Sequence, residues 1–170
     1  MTSVSLPEGL AIIGDSAFYN CTKLTSITIP NSVTKIGNSA FYGCSAISEV
    51  NIDSLEHWLN IDFGNTSATP FTGSNTETPT SFKINGTEIT TLTIPNTITK
   101  IKDRSLYNLK GSSVTNIIVP NSVKEVGAYA LNKCNNVDID ISNLEQISDY
   151  AFWGATFINT NIVINNSIKL

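Results

Sequence analysis

The chain has 170 residues, of which 41% are hydrophobic and 14% are charged, and its formal net charge is −4. This length and apolar content suffice for one domain with a sizeable core. Lys and Arg are few and scattered, which excludes a nucleic-acid footprint and a polybasic membrane patch, and no apolar run reaches the roughly 18 residues of a membrane-spanning helix.

One phrase recurs along the chain. Its fullest copy is residues 29–44, IPNSVTKIGNSAFYGC, and the copies open at Pro7, Pro30, Pro95 and Pro120. The step from the first of these prolines to the second is 23 residues. A fixed period of this length predicts a solenoid, in which each repeat stacks on its neighbours.

Each copy contains a short strand with apolar residues at its first, fourth and sixth positions, with small changes of spacing in later copies. The sets are Leu24, Ile27, Ile29; Ile47, Val50, Ile52; Ile89, Leu92, Ile94; Val114, Ile117, Val119; Val137, Ile139, Ile141; and Ile158, Ile162, Ile164. We expect six parallel rungs in one sheet, with the intervening polar residues facing outward.

After the strand, proline stops the ladder and the chain reverses. The return carries an apolar pair three residues apart, such as Val33 and Ile36, and a glycine follows in three copies, at Gly14, Gly37 and Gly127. Such a glycine indicates an unusual dihedral angle or a close approach of the backbone. A short helical or 3₁₀ turn is expected next. Its buried wedge residues are Phe18, Phe41, Leu106, Leu131 and Phe152.

The order LPxSVxxIGxxAFxxC followed by LxxIxIP resembles the BspA-like class of leucine-rich repeats, found in cell-surface proteins of host-associated bacteria and some mucosal protists. The resemblance covers about three quarters of the chain. It implies a repeat solenoid of the α/β class leaning towards β, a right-handed superhelix with a parallel sheet on the concave face and short helical or 3₁₀ turns on the convex face. It also implies an extracellular or cell-surface location and an adhesin-like role.

Residues 1–170 are expected to form a single solenoid with about five recognisable repeats and one rebuilt repeat, whose insert occupies 53–94. The opening residues 4–7, VSLP, match the end of a repeat, so we expect a fragment of a longer protein.

Within the insert, an amphipathic turn is expected to replace the usual wedge, and Asn85-Gly86 predicts a hairpin that leads directly into the next rung. The turn consists of Leu55, Trp58, Leu59 and Ile61. The segment 54–71 resembles an insert common in the same class. The loop between residues 64 and 81 either carries recognition or is a passive decoration.

No catalytic, metal-binding or cofactor-binding set emerges from the sequence. Cys21, Cys44 and Cys134 occupy one repeat position that is apolar in other copies, which indicates buried thiols, with a bridge between the first two as the alternative. The lone His57 has no nucleophile at a suitable spacing. Asp138 and Asp140 are expected on the outer face of one strand, as a solvated acidic surface, with an acid–base pair or a calcium site as the disfavoured alternative.

We expect a binding module that mediates adhesion through a protein or glycan ligand, by contacts on the concave face or on the insert. The concave candidates are Ser26, Thr28, Glu49, Asn51, Thr91, Thr93, Asn116, Ile118, Asp138 and Asp140, and the insert candidates are His57 and Trp58. The alternative is a structural spacer that displays another domain and has no ligand of its own; an enzyme is disfavoured. The exposed ends of the stack are expected to permit self-association.

Overall fold

The computed structural model describes residues 2–71 and 80–158, and shows a stack of short strands joined by turns. The predicted rung residues Ile162 and Ile164, and the loop tip at 72–79, lie outside the described residues. The described elements are strands β1 (Ser3–Val4), β2 (Ile12–Ile13), β3 (Ser26–Ile29), β4 (Lys35–Ile36) and β5 (Glu49–Ile52), helix α1 (Leu55–Leu59), and strands β6 (Asp62–Phe63), β7 (Ser81–Ile84), β8 (Thr87–Glu88), β9 (Thr91–Thr93), β10 (Lys100–Ile101), β11 (Asn116–Val119), β12 (Glu125–Val126), β13 (Val137–Ile139) and β14 (Gln146–Ile147).

The first layer contains the strands that the repeat pattern predicts, but it is divided into two sheets. One sheet has the order β1-β3-β5-β7-β8 and the other β9-β11-β13, and every pair is parallel except β7 with β8. The alternation is as expected, because Ile27 and Ile29 are buried while Thr28 between them is exposed. The expectation of one continuous sheet is therefore wrong, although parallel pairing is confirmed for the five predicted rungs that lie in the described residues.

The segments that follow each proline turn and carry the apolar pair form a second layer of two-residue strands. The sequence pattern did not predict them as strands. Here β2-β4-β6 and β10-β12-β14 are separate parallel sheets. Their inward residues Ile36, Ile101 and Val126 are fully buried in the same core cluster as the inward residues of the first layer. The core is thus a continuous apolar slab between two layers of strands.

The turns that carry the wedge residues are overlapping turns and not regular helix. Ser16 and Asn20 have φ of 56° and 54°, while Phe18 between them donates its N–H to Ala40 C=O of the next repeat at 2.9 Å. In a 3₁₀ helix these N–H groups would point along the helix axis. The alternating left-handed residues direct them towards the carbonyl groups of the next repeat instead. Regular 3₁₀ helix occurs instead at Thr66–Ala68, Leu109–Gly111 and Ile141–Asn143.

The repeated glycine allows neighbouring repeats to approach closely. A Cβ on Gly127 would lie 2.4 Å from Asp103 Oδ1 and 2.6 Å from Asp103 N, and one on Gly37 would meet Asp15 in the same way. Neither glycine has a positive φ, so of the two interpretations only the close approach is confirmed. The Asp103 carboxylate also accepts a 2.9 Å hydrogen bond from Ala128 N–H, which ties the two repeats together.

The predicted hairpin is confirmed, and β8 leads directly into the predicted rung β9, which belongs to the second sheet. Asn85 and Gly86 have φ of 48° and 76°, the left-handed pair of a type I′ turn, and β7 pairs with β5 on its other side. The hairpin therefore adds two strands after the third repeat, and β9 begins a new sheet.

Helix α1 does not replace the wedge as expected. It lies between β5 and β6, where a proline turn stands in regular repeats, and Ser54 caps it by accepting a bond from His57 N–H. The wedge residue of the preceding repeat, Phe41, donates its N–H to Ser67 C=O at 3.2 Å. The 3₁₀ turn that contains Ser67 thus occupies the wedge level in the rebuilt repeat.

An aromatic cluster fills the interior of the rebuilt repeat. The ring centroid of Trp58 lies 5.2 Å from that of Phe63, 6.1 Å from Phe71 and 5.8 Å from Phe82. All four side chains are buried, and they come from the α1, β6 and β7 elements and the segment after the 3₁₀ turn. These edge-to-face contacts anchor the inserted hairpin to the stack.

Candidate functional site

The structure divides the concave candidates between the two sheets of the first layer. In the first sheet, Ser26 lies beside Glu49 and Thr28 beside Asn51 in the strand register. These four form two short outward rows, and the hairpin extends both of them.

Two residues that the sequence reasoning missed continue the rows of the first sheet. Ser81 pairs with Glu49, and Lys83 pairs with Asn51 while its ammonium forms an ion pair with Glu49. Gly86 N–H donates to Asn51 Oδ1 at 2.9 Å. The strand itself was predicted as an arm of the hairpin, and its alternation of Phe82 and Ile84 with polar residues could have identified Ser81 and Lys83 as outward residues. Two of the four candidates therefore already bind the hairpin.

In the second sheet the outward rows run across three strands. Thr91 lies beside Asn116, and Thr93, Ile118 and Asp138 follow one another in register. Ile118 is 39% exposed, whereas its neighbours Ile117 and Val119 are buried. This surface thus has an exposed apolar side chain in the middle of a polar row.

Asp140 is not on the outer face of a strand, contrary to expectation. Strand β13 ends at Ile139, and Asp140 caps the 3₁₀ turn that follows. Its Oδ1 accepts bonds from Ser142 Oγ at 2.6 Å and from Ser142 N–H at 3.0 Å, and its Oδ2 accepts one from Asn143 at 2.8 Å. The hydrogen bond from the Ser142 hydroxyl is the main cause of a lowered pKa of the Asp140 carboxyl. Its oxygens are therefore engaged in a cap and not paired with Asp138.

The two insert candidates have opposite environments. His57 is exposed on α1, while Trp58 is only 1% exposed and donates its indole N–H to Ser105 C=O at 2.7 Å. Trp58 therefore cannot contribute to an insert surface. Its burial follows from the amphipathic spacing of the helix, which places Leu55, Trp58 and Leu59 on the inward side.

The cysteines are free thiols and occupy one repeat position, as the sequence indicates. Cys44 and Cys134 are buried and Cys21 is half-buried. The Cys44 thiol donates to Phe18 C=O at 2.9 Å and the Cys134 thiol to Leu106 C=O at 3.1 Å, in each case the wedge carbonyl of the preceding repeat. Burial raises the pKa of Cys44, and it raises that of Cys134 to about 12. These thiols serve packing, and the alternative of a bridge between the first two is not realised.

No group of three or more His, Cys, Asp or Glu residues that could hold a metal ion occurs within 2–71 and 80–158. No helix in those ranges is long and apolar enough to cross a membrane.

The two strand layers, the apolar core between them and the stacked turns that carry the wedge residues together define a β-solenoid of the leucine-rich repeat kind. The chain belongs to the family of BspA type leucine rich repeat regions, whose pattern matches residues 1–110 and 77–170 in six copies. No curated protein sequence matches the chain.

Three solved structures are similar to the chain, and the one with a TM-score above 0.5 shares its fold. A leucine-rich repeat protein from Bacteroides ovatus has a TM-score of 0.51 and 21% identity, over 98% of this chain and 44% of that protein. The leucine rich repeat protein of T. pallidum has a TM-score of 0.43 and 20% identity, over 88% and 69%. A leucine rich cell surface protein from Faecalibacterium prausnitzii has a TM-score of 0.45 and 22% identity, over 91% and 39%. The chain thus spans less than half of the Bacteroides and Faecalibacterium proteins, and identities at this level show the fold alone.

Proposed function

We propose that this segment is a binding module of an extracellular or cell-surface protein, with a protein or glycan as its ligand and no catalytic role. The observation that carries the proposal is the outward face of the second sheet, which we call the 91–138 face. Its residues are Thr91, Thr93, Asn116, Ile118 and Asp138. With Ile118 among polar side chains, this face offers a ligand one apolar contact surrounded by polar groups, the order of an interface centre and its rim.

Membership of the BspA type family supports the binding role, because stacked repeats present a rigid, extended surface whose outward residues vary independently of the core. The cell-surface location rests on the resemblance of the repeat phrase to surface proteins of host-associated bacteria. The competing function is a structural spacer, in which the 91–138 face has no ligand.

The experiment compares one substitution on this face with a matched control. Ile118→Asp places a charge in the centre of the 91–138 face, while Ile12→Asp does the same at an isoleucine that is 56% exposed in β2 of the other layer. Binding of the wild type to immobilised host matrix proteins and to a glycan array is measured first. We then expect Ile118→Asp to weaken the observed binding at least tenfold and Ile12→Asp to leave it unchanged, with unfolding curves confirming that both variants fold.

The spacer function predicts a different result. Absence of binding on every surface, or equal binding by Ile118→Asp and the wild type, would contradict a ligand site on the 91–138 face. Equal weakening by the two aspartate variants would indicate a nonspecific effect of charge, and it would also count against the site.

A further inference from the structure

We propose that the cleft between the third and fourth repeats binds a short extended peptide with an acidic side chain, which pairs as a β-strand with the open edges of β6 and β10. This edge cleft is lined by Ile61–Phe63 on one side and by Lys100 and Lys102–Arg104 on the other, and its volume is about 470 Å³. It lies in the second layer, so it is separate from the 91–138 face and does not depend on the function proposed for that face.

The edge cleft exists because the second layer is interrupted there. In a regular pair of repeats, Gly127 N–H donates to Ile101 C=O at 2.8 Å. The equivalent bond from Lys102 N–H to Phe63 C=O is not formed, although both residues lie in the described part of the chain. On the first layer the hairpin strands β7 and β8 lie at this level. The second layer has no strand to match them.

Both walls of the edge cleft are therefore open strand edges. Asp62 N–H donates back to the preceding repeat, and Ile101 C=O accepts from the following one. Since successive residues of a strand direct their backbone groups to opposite sides, Phe63 C=O and the N–H groups of Lys100 and Lys102 point towards the cleft. The backbone of an extended peptide supplies the complementary donors and acceptors on both of its sides.

Side chains cover these edges only in part. Lys102 Nζ reaches Asn60 C=O at 2.8 Å and Asp62 Oδ1 at 2.7 Å, and Arg104 Nη1 reaches Phe63 C=O at 3.5 Å. The three acceptors thus keep hydrogen bonds without a strand in place. Lys and Arg side chains are long and can move aside, so a peptide backbone can replace them at the edges.

The charges of the edge cleft favour an acidic side chain on the peptide. Arg104 Nε is buried and has no hydrogen-bond partner in the described structure, and the same guanidinium is 3.7 Å from Asp103 Oδ2 at the rim. Lys100 is already paired with Glu125 at 2.9 Å. A carboxylate on the bound peptide would accept from the unpaired Nε and from Lys102 once this lysine is displaced.

The dimensions of the edge cleft fit a short segment. Strands β6 and β10 have two residues each, so the pairing region accommodates about three residues, roughly 10 Å of extended chain. A cavity of 470 Å³ is within the range of about 300 to 1,000 Å³ that is usual for small-ligand sites.

A phage-displayed library of linear heptapeptides, selected on the purified protein, tests the proposal directly. We expect enriched peptides that carry Asp or Glu among β-branched residues. Fluorescence anisotropy with the synthetic peptides should then show at least tenfold weaker binding when the central backbone amides are N-methylated, because a methylated amide cannot donate to the strand edge.

Two protein variants locate the binding site. Arg104→Gln is expected to weaken binding of the enriched peptide about tenfold, and Lys100→Pro, which removes an edge N–H, to weaken it at least as much. The matched control is Lys133→Gln. Like Arg104, Lys133 has a positive φ, and the two cations lie over the rings of Trp153 and Tyr129, with Lys133 over the former. Binding by this control and by Ile118→Asp should equal that of the wild type.

Several results would overturn the proposal. One is a library from which no peptide is enriched. Another is an N-methylated peptide that binds as tightly as the unmethylated one. A third is Arg104→Gln that binds the peptide as tightly as the wild type, and this variant tests the site even if Lys100→Pro does not fold. A wild-type dimer in sedimentation analysis that Lys100→Pro abolishes would instead assign the edge cleft to a second copy of the chain, and would also reject a peptide partner.

Discussion

The repeated glycine provides a sharp test of how neighbouring repeats are held together. In Gly127→Ala the new Cβ would be 2.6 Å from the backbone N of Asp103, where ordinary contact begins at 3.4 Å. Backbone cannot rotate away as a flexible side chain does, so the two repeats must separate by about 0.8 Å. That movement would lengthen the 2.8 Å bond from Gly127 N–H to Ile101 C=O to about 3.6 Å, beyond hydrogen-bond range.

We expect Gly127→Ala to lower the free energy of unfolding by about 1 to 3 kcal/mol, the usual cost of forcing atoms into a packed site. The control is Gly14→Ala, because Gly14 occupies the same position of the repeat phrase but has nothing within 4 Å of its added Cβ. Without a clash, alanine there should be neutral or stabilise by up to about 1 kcal/mol, since it restricts the unfolded chain.

Equilibrium unfolding in urea, followed by the fluorescence of the buried Trp58, measures both free energies. Equal effects of Gly127→Ala and Gly14→Ala would refute the reasoning, because the glycine would then matter for the dihedral angle or the helical propensity of one repeat and not for contact between repeats. A third variant, Gly37→Ala, should behave like Gly127→Ala, since its Cβ would lie 2.5 Å from the backbone N of Asp15.

Three further predictions concern single side chains. Trp58→Phe leaves Ser105 C=O without its 2.7 Å donor in a buried place, and should cost about 1 to 3 kcal/mol of unfolding free energy in a urea titration followed by circular dichroism, since this variant lacks the reporting indole. Because burial raises the pKa of Cys134 to about 12, almost none of it is thiolate at pH 8, and the half-buried Cys21 should react first with a disulfide reagent under native conditions. The pKa of Asp140 is lowered in the folded protein, so its contribution to stability is present above the unfolded pKa of about 4. This contribution is lost as the pH falls through the folded pKa. The difference in unfolding free energy between the wild type and Asp140→Ala should therefore disappear in acid.

Each of these predictions has its own control. Trp153→Phe changes an indole that is 60% exposed and should alter stability by less than about 0.5 kcal/mol, so a similar loss in both tryptophan variants would argue against the buried bond. Equal reaction rates of Cys21 and Cys134 in the folded protein would show that burial does not protect the latter. A stability difference of Asp140→Ala that is constant from pH 7 to pH 2 would exclude the charged cap as its cause.

Much of the fold could be predicted from the sequence because the information is periodic. The apolar residues of Leu24-x-x-Ile27-x-Ile29 repeat at the spacing of a strand, and every predicted inward residue of this set is buried. The Asn85-Gly86 pair predicts its hairpin for a local reason, since both residues tolerate the positive φ that the turn demands. Such signals require no knowledge of distant residues.

The candidate site was less predictable because it depends on which strands become neighbours. Glu49 and Asn51 are polar and outward, as predicted, but the inserted hairpin binds both of them. Asp140 alternates with apolar residues in the sequence, yet the strand ends before it and its carboxylate caps a turn. The sequence placed Trp58 both in the amphipathic turn and on the surface of the insert. Its hydrogen bond to Ser105, 47 positions away, shows that only the first placement is right.

The sequence by itself determined the solenoid, through the period of its repeated phrase, and the hairpin and the inward residues of the regular first-layer strands, through spacing within one repeat. Only the tertiary structure decided that the first layer divides into two sheets and that a cleft opens between β6 and β10. The physical reason is that a pair of inserted strands widens one layer while the other has nothing to match it, and the resulting gap depends on contacts between repeats that no single repeat encodes.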